Sequence, residues 1–236
     1  MKRHIHNTIT CCNLISGCVA VTFALMGNPH MALLWIVMGA VFDFFDGMSA
    51  RLLGVSSPIG KELDSLADDV TFGVAPSAIV YHELTVMDWP AVLSSPFPGL
   101  VSYLPYLAFV MAAFSALRLA KFNLDERQTT SFIGLPTPAN ALFWGSLVVG
   151  GHQWVESLPW GSCLMLLLTF VSCWLLVAEI PMFALKFKHW GWRGNEVKYI
   201  FVLSCIPLLL FFGITAFAFI IAWYVILSVV VNLTQH

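Results

Sequence analysis

Long apolar stretches, only briefly interrupted, dominate this chain. They fall near 13–27, 31–53, 62–82, 97–120, 138–152, 160–185, 197–213 and 215–233. Most approach the roughly 20 apolar residues that a helix needs to cross about 30 Å of hydrocarbon. The interruptions are turn-forming: Gly27-Asn28-Pro29, Pro58-Ile59-Gly60, the stretch from Pro90 to Pro98, Gly134-Leu135-Pro136-Thr137-Pro138, Pro159 and Gly213. Proline cannot continue a helix ladder and glycine takes up backbone angles that other residues avoid. The pattern predicts an all-α fold, a polytopic transmembrane helical bundle of about eight spans, forming a single integral-membrane domain over 1–236.

Composition agrees. Of 236 residues, 59% are hydrophobic and 10% are charged, against about 25% charged in ordinary soluble domains. Connections this short leave no room for a separate soluble domain. The net charge of −2 and the lack of a long basic run exclude nucleic acid as a partner and leave membrane lipids as the surroundings. All 11 Lys and Arg sit at the N-terminus or in or beside the even-to-odd connections: Lys2, Arg3, Arg51, Lys61, Arg118, Lys121, Arg127, Lys186, Lys188, Arg193 and Lys198. The positive-inside rule then puts the N-terminus and these connections in the cytoplasm, with the chain integral to the cytoplasmic (inner) membrane. Lys2 and Arg3 before an apolar stretch resemble a signal peptide, but the cleavage site is poor and the segment reads as the first helix. The six cysteines lack metal-ligand spacing and read as small buried hydrophobes, whereas Trp89, Trp154, Trp160, Trp190 and Trp192 read as interfacial anchors. The oligomeric state stays open, with a homodimer among the arrangements allowed.

Candidate chemistry is concentrated at Asp43-Phe44-Phe45-Asp46-Gly47-Met48-Ser49-Ala50-Arg51 and Gly60-Lys61-Glu62-Leu63-Asp64-Ser65-Leu66-Ala67-Asp68. At about 100° per residue, Asp43, Asp46, Gly47 and Ala50 share one helix face, and Gly60, Asp64 and Asp68 share one face of the next. A short turn between antiparallel helices brings the two acidic faces together. Buried carboxylates repel one another and are costly at membrane depth. Divalent cations answer both costs, since carboxylate oxygens suit Mg2+ or Mn2+ and four of them suit a two-metal site. Gly47, Ala50 and Gly60 leave space between the helices, and Arg51 at the helix end can meet a phosphate oxygen. Asp69 points about 100° away from Asp68 and reads as supporting.

From Asp43 to Asp68 the order Asp-x2-Asp-Gly-x2-Ala-Arg-x8-Gly-x3-Asp-x3-Asp is similar at every defined position to the signature of the CDP-alcohol phosphotransferase family. The resemblance implies two divalent metal ions on Asp43, Asp46, Asp64 and Asp68, a CDP-linked donor, displacement of CMP by an alcohol, and Asp68 as base. The stretch from Asn7 to Gly17 also resembles the family's segment near the nucleotide and diphosphate, with Asn7, Thr10 and Asn13 as its polar residues and His6 where proline is usual. Read without the resemblance, those three side chains suit a helix cap and interhelical hydrogen bonds.

The acceptor is addressed by two further stretches, Arg118-Leu119-Ala120-Lys121-Phe122-Asn123 and Gly134-Leu135-Pro136-Thr137-Pro138. Both resemble the smaller, serine-using members of the family, with Lys121 where arginine is common, which keeps the cation but not a bidentate contact. Residues 114–140 thus form a headgroup-specific region, with Arg118, Lys121, Asn123, Pro136 and Thr137 at the serine or at phosphate. The expected substrates are CDP-diacylglycerol and L-serine, and the products phosphatidylserine and CMP, at a site facing the cytoplasm. Two rivals are a sibling using glycerol 3-phosphate or inositol phosphate, which favours a stronger basic cluster, and a divalent-cation transporter, which favours carboxylates near the bilayer midplane.

Overall fold

The computed structural model describes residues 2–53, 58–96, 98–125, 132–183, 191–192 and 195–234, with the side chains of 2–6, 50, 51, 53, 98 and 132 left aside. The side chains of Lys2, Arg3, His6, Ala50 and Arg51, together with Arg127, Lys186, Lys188, Trp190 and Arg193, lie outside the described residues. The eight predicted apolar stretches appear as eight helical runs. They are α1 (Lys2–Leu25), α2 (Pro29–Leu53), α3 (Pro58–Asp68) continuing into α4 (Ala75–Val86), and α7 (Val110–Leu124). The rest are α8 (Thr137–Glu156), α9 (Gly161–Val177), α10 (Glu196–Phe212) and α11 (Ala216–Thr234). Two single turns, α5 (Ala91–Ser94) and α6 (Pro98–Val101), lie between α4 and α7. Four runs, Asn7–Leu25, Pro29–Ser49, Gly99–Leu124 and Glu196–Thr234, are long and apolar enough to cross a membrane, and shorter apolar helices fill in around them. The fold is an all-α membrane bundle.

Two boundaries and two internal stretches differ from the sequence reading, each for a local reason. The first helix starts at Lys2 rather than near 13, because the polar side chains of its early turns bond to aspartates on neighbouring helices. The fourth run is not one regular helix: Pro105, which lacks an N–H, lies within a 3-10 stretch, Leu104–Phe109, that precedes α7. The sixth ends at Val177, not 185. Beyond it Pro181–Met182 pairs antiparallel with Phe132–Ile133, in the register Phe132↔Met182 and Ile133↔Pro181. Between α3 and α4 the chain makes a π-helical turn, Asp69–Val74, in which the Ala75 N–H reaches Val70 O, five residues back. Such turns often mark functional sites.

Small residues let the backbones approach. Helix α1 packs along α2 and crosses α3, α4 and the π turn, with Ala20, Ala24 and Ala32 fully buried or nearly so. Thr71, in the π turn, is the crossing point: a Cβ at Gly17 would sit 2.4 Å from its Oγ1, and one at Gly39 2.5 Å from its Cγ2. Thr71 also donates to Asn13 O at 3.0 Å. The core continues outward to Phe72, Ile79, Met111 and Trp144, and the buried Trp144 indole satisfies its N–H on Ser172 Oγ at 3.2 Å. Toward the far end of α4, the buried Glu83 receives His152 at 2.5 Å, and the other ring nitrogen of His152 lies 3.3 Å from Glu156.

All six cysteines are free. Cys173 is buried as expected, Cys12, Cys163 and Cys205 are partly buried, and Cys11 and Cys18, against the expectation of burial, are exposed on α1.

Candidate active site

Asp43 and Asp46 ride on α2, and Asp64 and Asp68 on α3, so the predicted opposition of two acidic helix faces is realised. Carboxylate oxygens of Asp43, Asp64 and Asp68 lie within 4.8 Å of one another. Two oxygens on one hard divalent cation, each at about 2.0–2.6 Å from it, are separated by no more than about 4–5 Å. The donor set therefore fits such an ion in both chemistry and spacing. Asp46 is 1% exposed, its Oδ2 accepts from Thr10 Oγ1 at 2.5 Å, and it lies within electrostatic reach of Asp43.

Helix α1 supplies the polar wall. Thr10 holds Asp46, and three residues on, Asn13 Nδ2 donates to Asp68 Oδ1 at 3.0 Å. Asn13 is fully buried. Asn7 lies one further turn back, and its side-chain oxygen is buried without a hydrogen-bond partner among the described residues. The i, i+3 spacing of Thr10 and Asn13 thus turns two polar side chains toward the aspartates. Among the small residues, a Cβ at Gly47 would meet nothing within 4 Å, whereas Gly60 is buried. Asp69 opens the π turn, and its Oδ1 would lie 2.6 Å from a Cβ at Gly73, so it faces Gly73 rather than the carboxylate group.

The residues expected at the acceptor divide into two sets. Arg118 is 7% exposed, stacks over the Phe122 ring at 5.5 Å and donates through Nη1 to the buried Thr137 Oγ1 at 3.5 Å. It is within electrostatic reach of Asp68. Pro136, extended at φ −62° and ψ 138°, caps the start of α8 and so sets Thr137 in place. Asn123 has a different position: its Nδ2 donates to Ser65 Oγ at 2.7 Å and its carbonyl accepts from Lys61 Nζ at 2.7 Å. It ties the helix bearing Asp64 and Asp68 to the helix bearing Arg118.

Lys121 is exposed and shares with Arg118 a cavity of about 380 Å3 whose lining includes Asp125 and Glu179. Neither acid figured in the sequence reading. Glu179 had a signal, since it is an acidic residue inside the apolar stretch 160–185, and a carboxylate in such a stretch points to function.

A model of the CDP-alcohol phosphatidyltransferase family matches residues 3–174. The chain is 38% identical over 194 residues to the CDP-diacylglycerol--serine O-phosphatidyltransferase of Bacillus subtilis, an alignment covering 82% of this chain and 95% of that protein. Identity is 31% over 215 residues to the protein of the same name from Methanocaldococcus jannaschii, covering 91% of this chain and 86% of that one. With the Mycobacterium leprae protein of that name it is 34% over 188 residues, covering 75% of this chain and 57% of the longer mycobacterial one.

Proposed function

The chain belongs to the CDP-alcohol phosphatidyltransferase family, and from that premise we propose that it transfers the phosphatidyl group of CDP-diacylglycerol to L-serine, giving phosphatidylserine and CMP. The observation that carries this reading is the carboxylate group of Asp43, Asp64 and Asp68, one of whose members is held by Asn13, beside a buried arginine on the serine-like stretch of α7. The relatives' names supply the acceptor. The reading treats 1–236 as one membrane domain, with the transfer chemistry at 43–68 and headgroup selection near 114–140.

Asp43, Asp46, Asp64 and Asp68 would hold two divalent cations, Mg2+ or Mn2+, which would neutralise charge on the donor's diphosphate. The residues do the rest. Asn7, Thr10 and Asn13 border the nucleotide and diphosphate, and Gly47, Ala50 and Gly60 leave the room they need. Arg51 meets a phosphate oxygen. Asn13 donates to one oxygen of Asp68 and so fixes the direction of the other, which accepts the proton of the serine hydroxyl. As that proton moves, the hydroxyl oxygen forms a bond to the lipid-side phosphorus, and the bond from that phosphorus to the CMP oxygen breaks, its electron pair leaving with CMP. Arg118, steered by Thr137 and Phe122, presents a fixed cation to the acceptor. The donor's acyl chains stay in the bilayer of the inner membrane while its headgroup reaches the site from the cytoplasmic leaflet, where the basic connections lie.

Purified protein incubated with CDP-diacylglycerol, a divalent cation and a panel of alcohols tests this directly. CMP release should be fastest with L-serine. Preference for glycerol 3-phosphate or inositol phosphate would reassign the acceptor within the family. Cation uptake into vesicles without nucleotide, and no CMP release, would replace the enzyme with a transporter.

A further inference from the structure

We propose that the cavity between the end of α7 and the extended stretch after α9 is a two-signed site for a free amino acid, in which Glu179, with Asp125, binds the α-ammonium while Arg118 and Lys121 bind the α-carboxylate. The inference rests on the serine reading above and assigns the residues that select that acceptor.

Four features of the chain support it. First, the cavity, about 380 Å3, lies in the range of small-ligand pockets. Second, it is lined by two cations and two acids. Arg118 and Lys121 come from neighbouring positions on α7, Asp125 from just past the end of that helix, and Glu179 from the chain after α9. Among the described residues, neither Glu179 nor Lys121 has an ion-pair partner within 4.0 Å. Third, Arg118 is more than nine-tenths buried, yet its Nε has no hydrogen-bond partner among the described residues. A buried guanidinium N–H left unmatched by protein is suited to a ligand carboxylate.

Fourth, the backbone that carries Glu179 is tied to the turn that carries Thr137. Gly134 adopts φ +75°, and a Cβ there would lie 2.7 Å from Leu176 O and 3.0 Å from Ala178 O. Only glycine allows so close an approach. Its N–H donates to Ile180 O at 2.9 Å, and Leu135 N–H donates to Leu175 O at 2.9 Å. The turn that carries Thr137, the acceptor of the Arg118 bond, is therefore bonded directly to Ile180, next to Glu179, and to Leu175 at the end of α9. The Gly134 to Pro138 turn joins the two halves of the site.

The acids also reject competitors. A phosphorylated acceptor brings two negative charges and, beside Glu179 and Asp125, meets like charge on the side where a zwitterion meets its opposite. Specificity then comes from where the acids are placed, and needs no larger basic cluster.

The test compares full-length wild type with Glu179→Gln and Lys121→Gln, in mixed micelles with saturating divalent cation. Three acceptors are used: L-serine, 3-hydroxypropionate (no ammonium) and ethanolamine (no carboxylate). Glu179→Gln should raise the KM for L-serine by about tenfold or more, with the KM for CDP-diacylglycerol within about twofold. It should also shrink the preference for L-serine over 3-hydroxypropionate by a similar factor. Lys121→Gln should shrink the preference over ethanolamine instead. An unchanged serine-to-hydroxypropionate ratio in Glu179→Gln, or equal rises in both KM values, overturns the proposal while the serine reading stands. A wild type that releases CMP to another alcohol but not to L-serine overturns the reading itself, and this inference with it.

Discussion

Asn13 on α1 and Asp68 at the end of α3, 55 positions apart, are joined by a hydrogen bond of 3.0 Å from Nδ2 to Oδ1. Asn13 is fully buried, so its amide cannot swing away, and the bond aims the carboxylate assigned as base. Replacing Asn13 with alanine should lower kcat by roughly 10- to 100-fold, which corresponds to about 1–3 kcal/mol for a lost hydrogen bond to a charged group. Asn13→Asp should be at least as harmful, since it adds a fourth negative charge beside Asp43, Asp64 and Asp68. Steady-state rates of CMP release, with circular dichroism to verify folding, check both variants.

The carboxylates should not be equivalent to their neighbour Asp69. Asp43→Ala, Asp46→Ala, Asp64→Ala and Asp68→Ala should each abolish turnover, and so should excess chelator, with recovery on adding back a divalent cation. Asp69→Ala should keep a substantial fraction, because Asp69 faces Gly73 across the π turn. Full activity in chelator, or an Asp69→Ala variant as inactive as Asp64→Ala, counts against the assignment of the metal ligands.

Helix crossing at Thr71 gives a stability test that is independent of chemistry. Gly17→Ala places a methyl 2.4 Å from Thr71 Oγ1 and 2.8 Å from its Cα, and Gly39→Ala meets Thr71 Cγ2 at 2.5 Å. Each should destabilise the detergent-solubilised protein by about 1–3 kcal/mol, a typical cost of overpacking. Gly99→Ala, with nothing within 4 Å of the added carbon, should leave the melting temperature nearly unchanged.

Much of this was legible in the sequence, because lipid imposes simple rules. Eight apolar stretches gave eight helical runs, and the spacing of Asp43, Asp46, Asp64 and Asp68 placed their helix faces together, since 3.6-residue periodicity survives until the π turn begins after Asp68. The i, i+3 spacing of Asn7, Thr10 and Asn13 is legible too, but the helix start at Lys2 is not, because periodicity cannot show that Thr10 and Asn13 have aspartate partners on other helices. The π turn, the Phe132↔Met182 pairing and the position of Glu179 depend on contacts between distant segments. Nothing local to Glu179 indicates that the Gly134 turn docks beside it; its charge within an apolar stretch is the one signal it carries. Arg118 and Asn123, grouped in the sequence reading by one motif, point to different tasks, one lining the cavity and the other bridging α3 and α7.

Orientation can be tested in a cysteine-free background. Single cysteines at 88–96 should react with an impermeant maleimide applied to intact cells, while cysteines at 121–125 should react only after permeabilisation. This follows from the segregation of the basic residues to one set of connections. The opposite labelling pattern would put the carboxylate site on the outer face.

The most direct measurement is transfer of isotope from labelled L-serine into chloroform-soluble lipid by the purified protein, with CDP-diacylglycerol and a divalent cation supplied. We expect one labelled lipid, phosphatidylserine, formed mole for mole with CMP, absent without CDP-diacylglycerol and absent in Asp68→Ala. CMP release with glycerol 3-phosphate in the place of L-serine, and no label in the lipid fraction, would contradict the assignment of serine as the acceptor.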